Sequence, residues 1–481
     1  MNRIFLQLRS AASADQEHIL TGWLFLKILA LIYFAAFFSL SSQITGLVGE
    51  NGILPIDWFM QSARSQYGDI AWLRVPMLFW IDASDMLLQV TCYAGCLFAF
   101  ALFVGRLVLP SLIALFVLYL SLTHAGQMFL NFQWDYLLLE AGFIAIFLAR
   151  SPSKLVIFLF HWLLFRLRFL SGLSKIISGD ASWSSLTTLN HYFETQPLPH
   201  VGAWYAHQLP DWLLKTGTGF TLFVELIVPF FIFLPRPFRL FAAASTIFIQ
   251  VLIILTSNHN WINLLTIALC LFLLDDRIVE KLMPTTLAHR IRSRVANVGF
   301  RPILLLATAA IVFASVAAAS AIVFKTDMPE TARWIRAYGL GNAYHVFPTM
   351  QVERHELQIE GSLDGRNWQA YEFRYKPNDI DETPQFIVPH QPRLDWMIWF
   401  VPPRNPDMRF WFEGFLTRLQ QNQPAVTALL KHNPFAGQAP RYLRVMVYRY
   451  QFTTPEERKQ SGHYWKKQLL GEFPFVPPRR P

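Results

Sequence analysis

The sequence predicts a polytopic α-helical membrane bundle of about eight or nine spans, residues 1–325, followed by a small β-rich α+β domain, residues 326–481, on the extracytosolic side. Three observations predict it. Long apolar runs recur through the first two thirds of the chain, positive charge alternates from one connection to the next, and the sequence rhythm changes after residue 325.

A helix needs about 20 apolar residues to cross a hydrocarbon core of roughly 30 Å. Runs of that kind lie near 22–42, 84–104, 108–124, 132–149, 155–176, 217–235, 238–256, 259–276 and 302–324, the third being short enough to tilt or lie half-buried. The N-terminus, MNRIFLQLRSAASADQEHIL, lacks a small-residue cleavage site after a short apolar core, so it does not read as a cleaved signal peptide. Phe alone (43) outnumbers Lys plus Arg (41), a composition that excludes an ordinary soluble enzyme.

The net charge of +9 reads as topology rather than as nucleic-acid binding. With Arg3 and Arg9 cytosolic, the same side carries Arg106, Arg150 with Lys154, Arg236 with Arg239, and a last group from Arg277 and Lys281 through Arg290, Arg292 and Arg294 to Arg301. The opposite connections, 43–83 and 177–216, hold only Arg64, Arg74 and Lys215. That bias places everything after residue 325 outside the cytosol.

Beyond residue 325, HELQIEGSLDGRNWQAYEFRYKP alternates apolar and polar residues around Asp364-Gly365 and reads as a β-hairpin. LDWMIWFVP and RYLRVMVYRYQFTT read as further strands, and NPDMRFWFEGFLTRLQQNQPAVTALLKHNPF as a helical insertion broken near Pro424. The three cysteines, Cys92, Cys96 and Cys270, all fall in spans, which excludes a disulfide-stapled exported domain. Cys92 and Cys96, four apart, read as small core residues rather than a redox pair. No Asn-x-Ser/Thr sequon occurs despite long outward segments, which favours a bacterial membrane.

Charge inside the apolar runs marks the first candidate site. Arg166, Arg168 and Lys175 interrupt KLVIFLFHWLLFRLRFLSGLSKIISG, and an intramembrane cation, at roughly 2.5–3.5 kcal/mol, implies function or a partner. His161, Arg168 and Lys175, at steps of seven, share a helix face. The preceding span carries Asp135 and Glu140, and an antiparallel neighbour brings Glu140 to Arg168 and Asp135 to Lys175. The plainer reading is a structural ion network; the sharper one is a cavity in which Lys175 is a desolvated base or binding cation.

In the outer connection GDASWSSLTTLNHYFETQPLPHVGAWYAHQLPDW, His191, His200 and His207 match no standard metal spacing, and aromatic interfacial belts explain much of its composition. Asn51-Gly52 reads as a tight turn. In the outer domain, His390, Arg393 and Asp395 beside Trp396 and Trp399 read either as a client-contact patch or as the seam between domain and membrane.

Several of these segments, FFSLSSQITGLVGENGILP, FLNFQWDYLLLEAGFIAIFLA, WLLFRLRFLSGLSKI, HYFETQPLPHVGAWYAHQLP, NWINLLTIALCLFLLDD, GNAYHVFP, IEGSLDGRNWQAYEFRYKP and PHQPRLDWMIWF, together resemble the lipase maturation factor family almost end to end. The resemblance implies a multi-span membrane domain, an outer C-terminal domain that contacts a secreted client, and lipases as clients. It adds His345, within GNAYHVFP, to the client-contact candidates. Animal members reside in the endoplasmic reticulum; a bacterial member would sit in the cytoplasmic (inner) membrane and serve other clients. A redox contribution to client folding has no outer cysteine here to carry it.

A second, fainter resemblance joins RFLSGLSKIISGDASW to vitamin K-dependent γ-glutamyl carboxylase and related horizontally transferred transmembrane domains. It implies Lys175 as a base, with Arg168, Glu140, Asp135 and His191 around it, acting on a lipid, quinone or client side chain. The neighbouring helix lacks an obvious counterpart to the carboxylase's catalytic His. Two expectations therefore stand: a non-catalytic, chaperone-like maturation factor with a secreted client and membrane lipid as partners, and a membrane-embedded enzyme. Neither calls for nucleic acid or metal; a bound lipid or quinone is the cofactor class they admit.

Overall fold

In hydrocarbon, backbone N–H and C=O groups must bond within their own segment, and helices do this locally. The apolar runs accordingly form helices in a computed structural model that describes residues 15–293, 302–402 and 406–473. Arg3, Arg9, Arg294 and Arg301 of the charge argument lie outside the described residues.

The principal membrane helices are α1 (Ile19–Ser41), α2 (Asp85–Val104), α3 (Val108–Ala125), α4 (Gln133–Ile146), α5 (Lys154–Ile177), α6 (Asp211–Leu226), α7 (Arg236–Thr256), α8 (Ile262–Cys270) and α9 (Pro302–Phe324). Helix α6 runs on through a 3₁₀ turn at Val228–Phe233, and α8 through one at Leu271–Leu273. Among the described residues, seven helices are long and apolar enough to cross a membrane. The two remaining runs give α4 and α8, which are shorter because protein covers them on nearly all sides. Residues Leu137 to Gly142 of α4 are buried on every face. A helix apolar all round belongs inside a bundle rather than against lipid.

Helix ends follow local chemistry. Ser84 and Ser153 cap α2 and α5, accepting N–H bonds from Leu87 (3.2 Å) and Val156 (3.4 Å). Gly105, with φ of 82°, closes α2. The orphan N–H groups of Ile19, Leu20 and Thr21 that open α1 donate to the Asp276 carboxylate at 2.9–3.1 Å. Asp276, Arg236 paired with Asp275, and Lys27 bonded to the end of α2 gather at one end of the bundle.

The opposite end carries the cap. Its antiparallel sheet has the order β2-β1-β3-β4, from β1 (Arg354–Ser362), β2 (Gln369–Ala370), β3 (Tyr442–Phe452) and β4 (Trp465–Glu472). The expected hairpin turn is present: Asp364 Oδ1 accepts from the N–H groups of Arg366 and Asn367, both at 2.8 Å, and Gly365 takes φ of 75°. The hairpin's second arm, however, stops at Ala370 instead of continuing through YEFRYKP. The expected helical insertion is α11 (Pro406–Gln420), followed after Asn422 by a turn of helix at Pro424–Thr427.

One expectation is corrected. LDWMIWFVP is not a strand but the short helix α10 (Arg393–Ile398), because its residues are enclosed by protein on all sides and have no strand neighbour to pair with. The edge strand β4 is mostly exposed and lacks the apolar–polar alternation that marks a half-buried strand. A single contiguous apolar core runs from Phe25 and Phe37 in the bundle to Trp396, Trp411 and Val445 in the cap.

Candidate functional site

Three buried ion clusters lie in the bundle and at its seam with the cap, and their pairing differs from the expected one; a further cluster, Arg354, Glu356 and Lys376, lies within the cap. Successive helical residues are about 100° apart, so Arg166 and Arg168 point to opposite sides of α5. Arg166 turns to α4, where it grips both oxygens of Glu140. Arg166 Nη1 also donates to Asn342 O at 2.8 Å, and the Tyr344 hydroxyl donates to Glu140 at 2.7 Å. Arg168 turns the other way, to α6, and lies 3.3 Å from Glu225 Oε1. Lys175, two turns along the same face, lies 2.7 Å from Glu225 Oε2. The expected Glu140–Arg168 and Asp135–Lys175 pairs are therefore replaced. Glu225, a lone carboxylate in GFTLFVELIVPF, is the residue that sequence reasoning passed over; its isolation in an apolar run was the available signal.

Asp135 belongs to the cap seam. Its carboxylate accepts from Arg393 Nη1 and Nη2 at 2.7 and 2.8 Å, and from the Tyr119 hydroxyl at 2.6 Å. Helix α10 thus inserts its first residue into the mouth of the bundle. Asp395 accepts the N–H groups of Tyr375 (2.7 Å) and Lys376 (3.0 Å), and burial pushes its carboxyl up to about 6. The Trp396 ring meets Trp134 edge-on at 5.1 Å, and Trp399 Nε1 donates to Thr195 O at 2.7 Å. His390 Nδ1 sits 2.9 Å from Ser39 Oγ; burial, then the nearby Arg393, lowers this imidazole to about 4. These five residues line the seam rather than an open patch, with Arg393, Asp395 and Trp396 buried. His345 alone of the six contact candidates is exposed.

Arg168, Lys175 and Glu225 border a cavity of about 110 Å³ between α5, α6, α7 and α8. Gln250, His259 and Asn263 supply further polar wall, with Leu167, Ile253 and Phe347 among the apolar lining. Three acceptors surround Lys175 Nζ: Glu225, Ser171 O at 3.3 Å and Val346 O at 2.9 Å. His259 Nε2 is 2.6 Å from the Tyr192 hydroxyl. His191, beside Tyr192 in sequence, is half-buried and does not line the cavity.

The outer-loop histidines act locally. His200 accepts from Gly202 N–H at 2.9 Å, and His207 lies 3.8 Å from Glu194. No cluster of three metal-ligating side chains occurs among the described residues.

The chain matches the family described as lipase maturation factor transmembrane domain over residues 20–281, and that described as lipase maturation factor C-terminal domain over 340–476. It belongs to the lipase maturation factor family. Similar relatives include Lipase maturation factor 2 of Xenopus laevis, 33% identical over 95% of this chain and 82% of that protein. Lipase maturation factor 1 of Mus musculus is 31% identical over 98% of this chain and 89% of its own length. Its Homo sapiens counterpart is 30% identical over 96% and 89%. No solved structure matches. In this family member the two matched regions meet at the ion clusters: Asn342 and Tyr344, just inside the second, close over Glu140 in the first.

Proposed function

We propose that this membrane maturation factor assists the folding or assembly of a secreted client, a lipase by its family, with the cap on the export side. The observation that carries the reading is family membership across both regions. The placement of charge supports the orientation. Arg236, Lys27 and Arg292 lie at the end of the bundle away from the cap, as the positive-inside rule expects of a cytosolic face. The membrane would be that of the endoplasmic reticulum in a eukaryote, or the cytoplasmic membrane in a bacterium.

The surroundings of Lys175 favour a non-catalytic role over the carboxylase-like alternative. An ammonium has three donors, and three acceptors face this one, an arrangement suited to a held cation rather than a free base. Photo-crosslinking from the exposed cap residues Phe386 and Phe410, in cells that secrete a co-expressed lipase of the same host, tests the reading. A cap-to-lipase adduct, and lipase activity that depends on this chain, are expected. Full lipase activity in its absence would overturn the proposal.

A further inference from the structure

The cavity beside α5 is short of negative charge. Among the described residues its lining carries two cations, Arg168 and Lys175, and one carboxylate, Glu225. Lys175 Nζ donates to Ser171 O and Val346 O and lies 2.7 Å from Glu225 Oε2, whereas Arg168 makes no hydrogen bond among the described residues. Its side chain is 8% exposed, its Nε has no hydrogen-bond partner among the described residues, and Nη2 meets Glu225 only as a 3.3 Å contact outside hydrogen-bond geometry. A guanidinium has five N–H donors, and a buried charge left unbonded is costly. Other buried polar atoms of the lining also lack a hydrogen bond among the described residues: Trp183 Nε1, Glu225 Oε2 and Asn263 Oδ1. Asn263 Nδ2 donates to Gln250 Oε1 at 2.6 Å, while Asn263 Oδ1 accepts nothing among the described residues.

Most of the remaining wall is apolar, with Leu167, Ile253, Ile262 and Phe347 among it. His259 is taken up by the Tyr192 hydroxyl, 2.6 Å from its Nε2. The space, about 110 Å³, compares with roughly 10–15 Å³ for one water on the same measure, enough for a head group and a few methylenes. A mostly apolar pocket with a few convergent polar groups is the usual form of a small-ligand site.

We propose that this cavity binds the head of a monoanionic single-chain amphiphile. Its carboxylate or phosphate monoanion pairs with the Arg168 guanidinium where it borders the cavity, and its first methylenes lie on the apolar wall. One negative charge balances the surplus cation. Amphiphile binding goes beyond the client role: the charged residues of the site belong to the bundle, and Val346, Phe347 and Met350 of the second matched region close one wall.

Quenching of tryptophan fluorescence by 9,10-dibromostearate in the purified full-length protein tests this, because Trp183 lines the cavity. Saturable quenching is expected from the acid, with its methyl ester at least tenfold weaker. Displacement by oleate or by oleoyl lysophosphatidate then separates a carboxylate head from a phosphate one. Arg168→Gln is expected to weaken binding at least tenfold. Thr221→Phe, which narrows the cavity and removes no charge, is expected to abolish it, and it decides the matter if the first variant does not fold. Equal quenching by acid and ester, or wild-type quenching in Thr221→Phe, would overturn the proposal.

Discussion

Arg393 of the cap and Asp135 of the bundle, 258 residues apart, share two hydrogen bonds of 2.7 and 2.8 Å with both side chains at most 1% exposed. Arg393 Nη1 also donates to Phe129 O at 3.0 Å, and the guanidinium lies 5.5 Å from the Trp261 ring. Neither group has water to fall back on. Cap and bundle are therefore coupled through a buried charge as well as through the continuous apolar core.

Removing one partner strands the other. Arg393→Met is expected to destabilise the protein by roughly 3–5 kcal/mol, as for other broken buried pairs. Asp135→Leu with Arg393→Met removes both charges and is expected to recover most of that loss. Thermal unfolding in detergent, with the protein level in membranes, measures both; a double variant no better than the single one would refute the coupling.

Glu225 serves two cations, so the three residues are not equivalent. Glu225→Gln leaves Arg168 and Lys175 facing each other without a counter-charge, whereas Lys175→Met leaves an Arg168–Glu225 pair intact. The expected order of damage to protein level is Glu225→Gln far above Lys175→Met. Glu225→Gln combined with Lys175→Met should fall between them. A Lys175→Met variant that is abundant yet fails to mature its client would instead favour the catalytic alternative.

His390 makes the seam sensitive to acid. Its folded-state value, about 4, lies below the ordinary imidazole value of about 6.5. The unfolded chain thus binds more protons between those values, and the His390 contribution is present above about pH 6.5 and lost as pH falls toward 4. Asp395, raised to about 6, acts in the opposite sense, its contribution growing as pH drops through 6. Comparing melting temperatures of the wild type and His390→Asn at each pH cancels the Asp395 term. The wild-type advantage is expected to shrink below pH 6, and a constant difference would count against the assignment.

At the α1–α4 contact, a Cβ on Gly142 would run into the Tyr33 hydroxyl, which donates to Leu138 O at 3.1 Å. Overpacking of this kind costs roughly 1–3 kcal/mol, and Gly142→Ala is expected to lose that much. Adding Tyr33→Phe should return part of it. Unchanged thermal stability in Gly142→Ala would show that the two helices separate more freely than their packing implies.

Local chemistry made much of the architecture legible. Apolar run length marked the helices, alternating charge ordered their ends, and the Asp364-Gly365 turn fixed one hairpin. Helical periodicity also put Arg168 and Lys175 on one face, where they meet the same carboxylate. Tertiary structure decided what periodicity cannot carry: which neighbour each face meets. A buried ion takes the partner that packing brings within about 3 Å, whatever its distance along the chain. Hence Glu140 pairs with Arg166 rather than Arg168, Asp135 with Arg393 of the cap, and LDWMIWF became a wedge of helix. Composition alone required charges to be buried in this bundle, because their runs were too apolar to leave them in water. Only the fold decided which were matched, and left Arg168 with donors to spare.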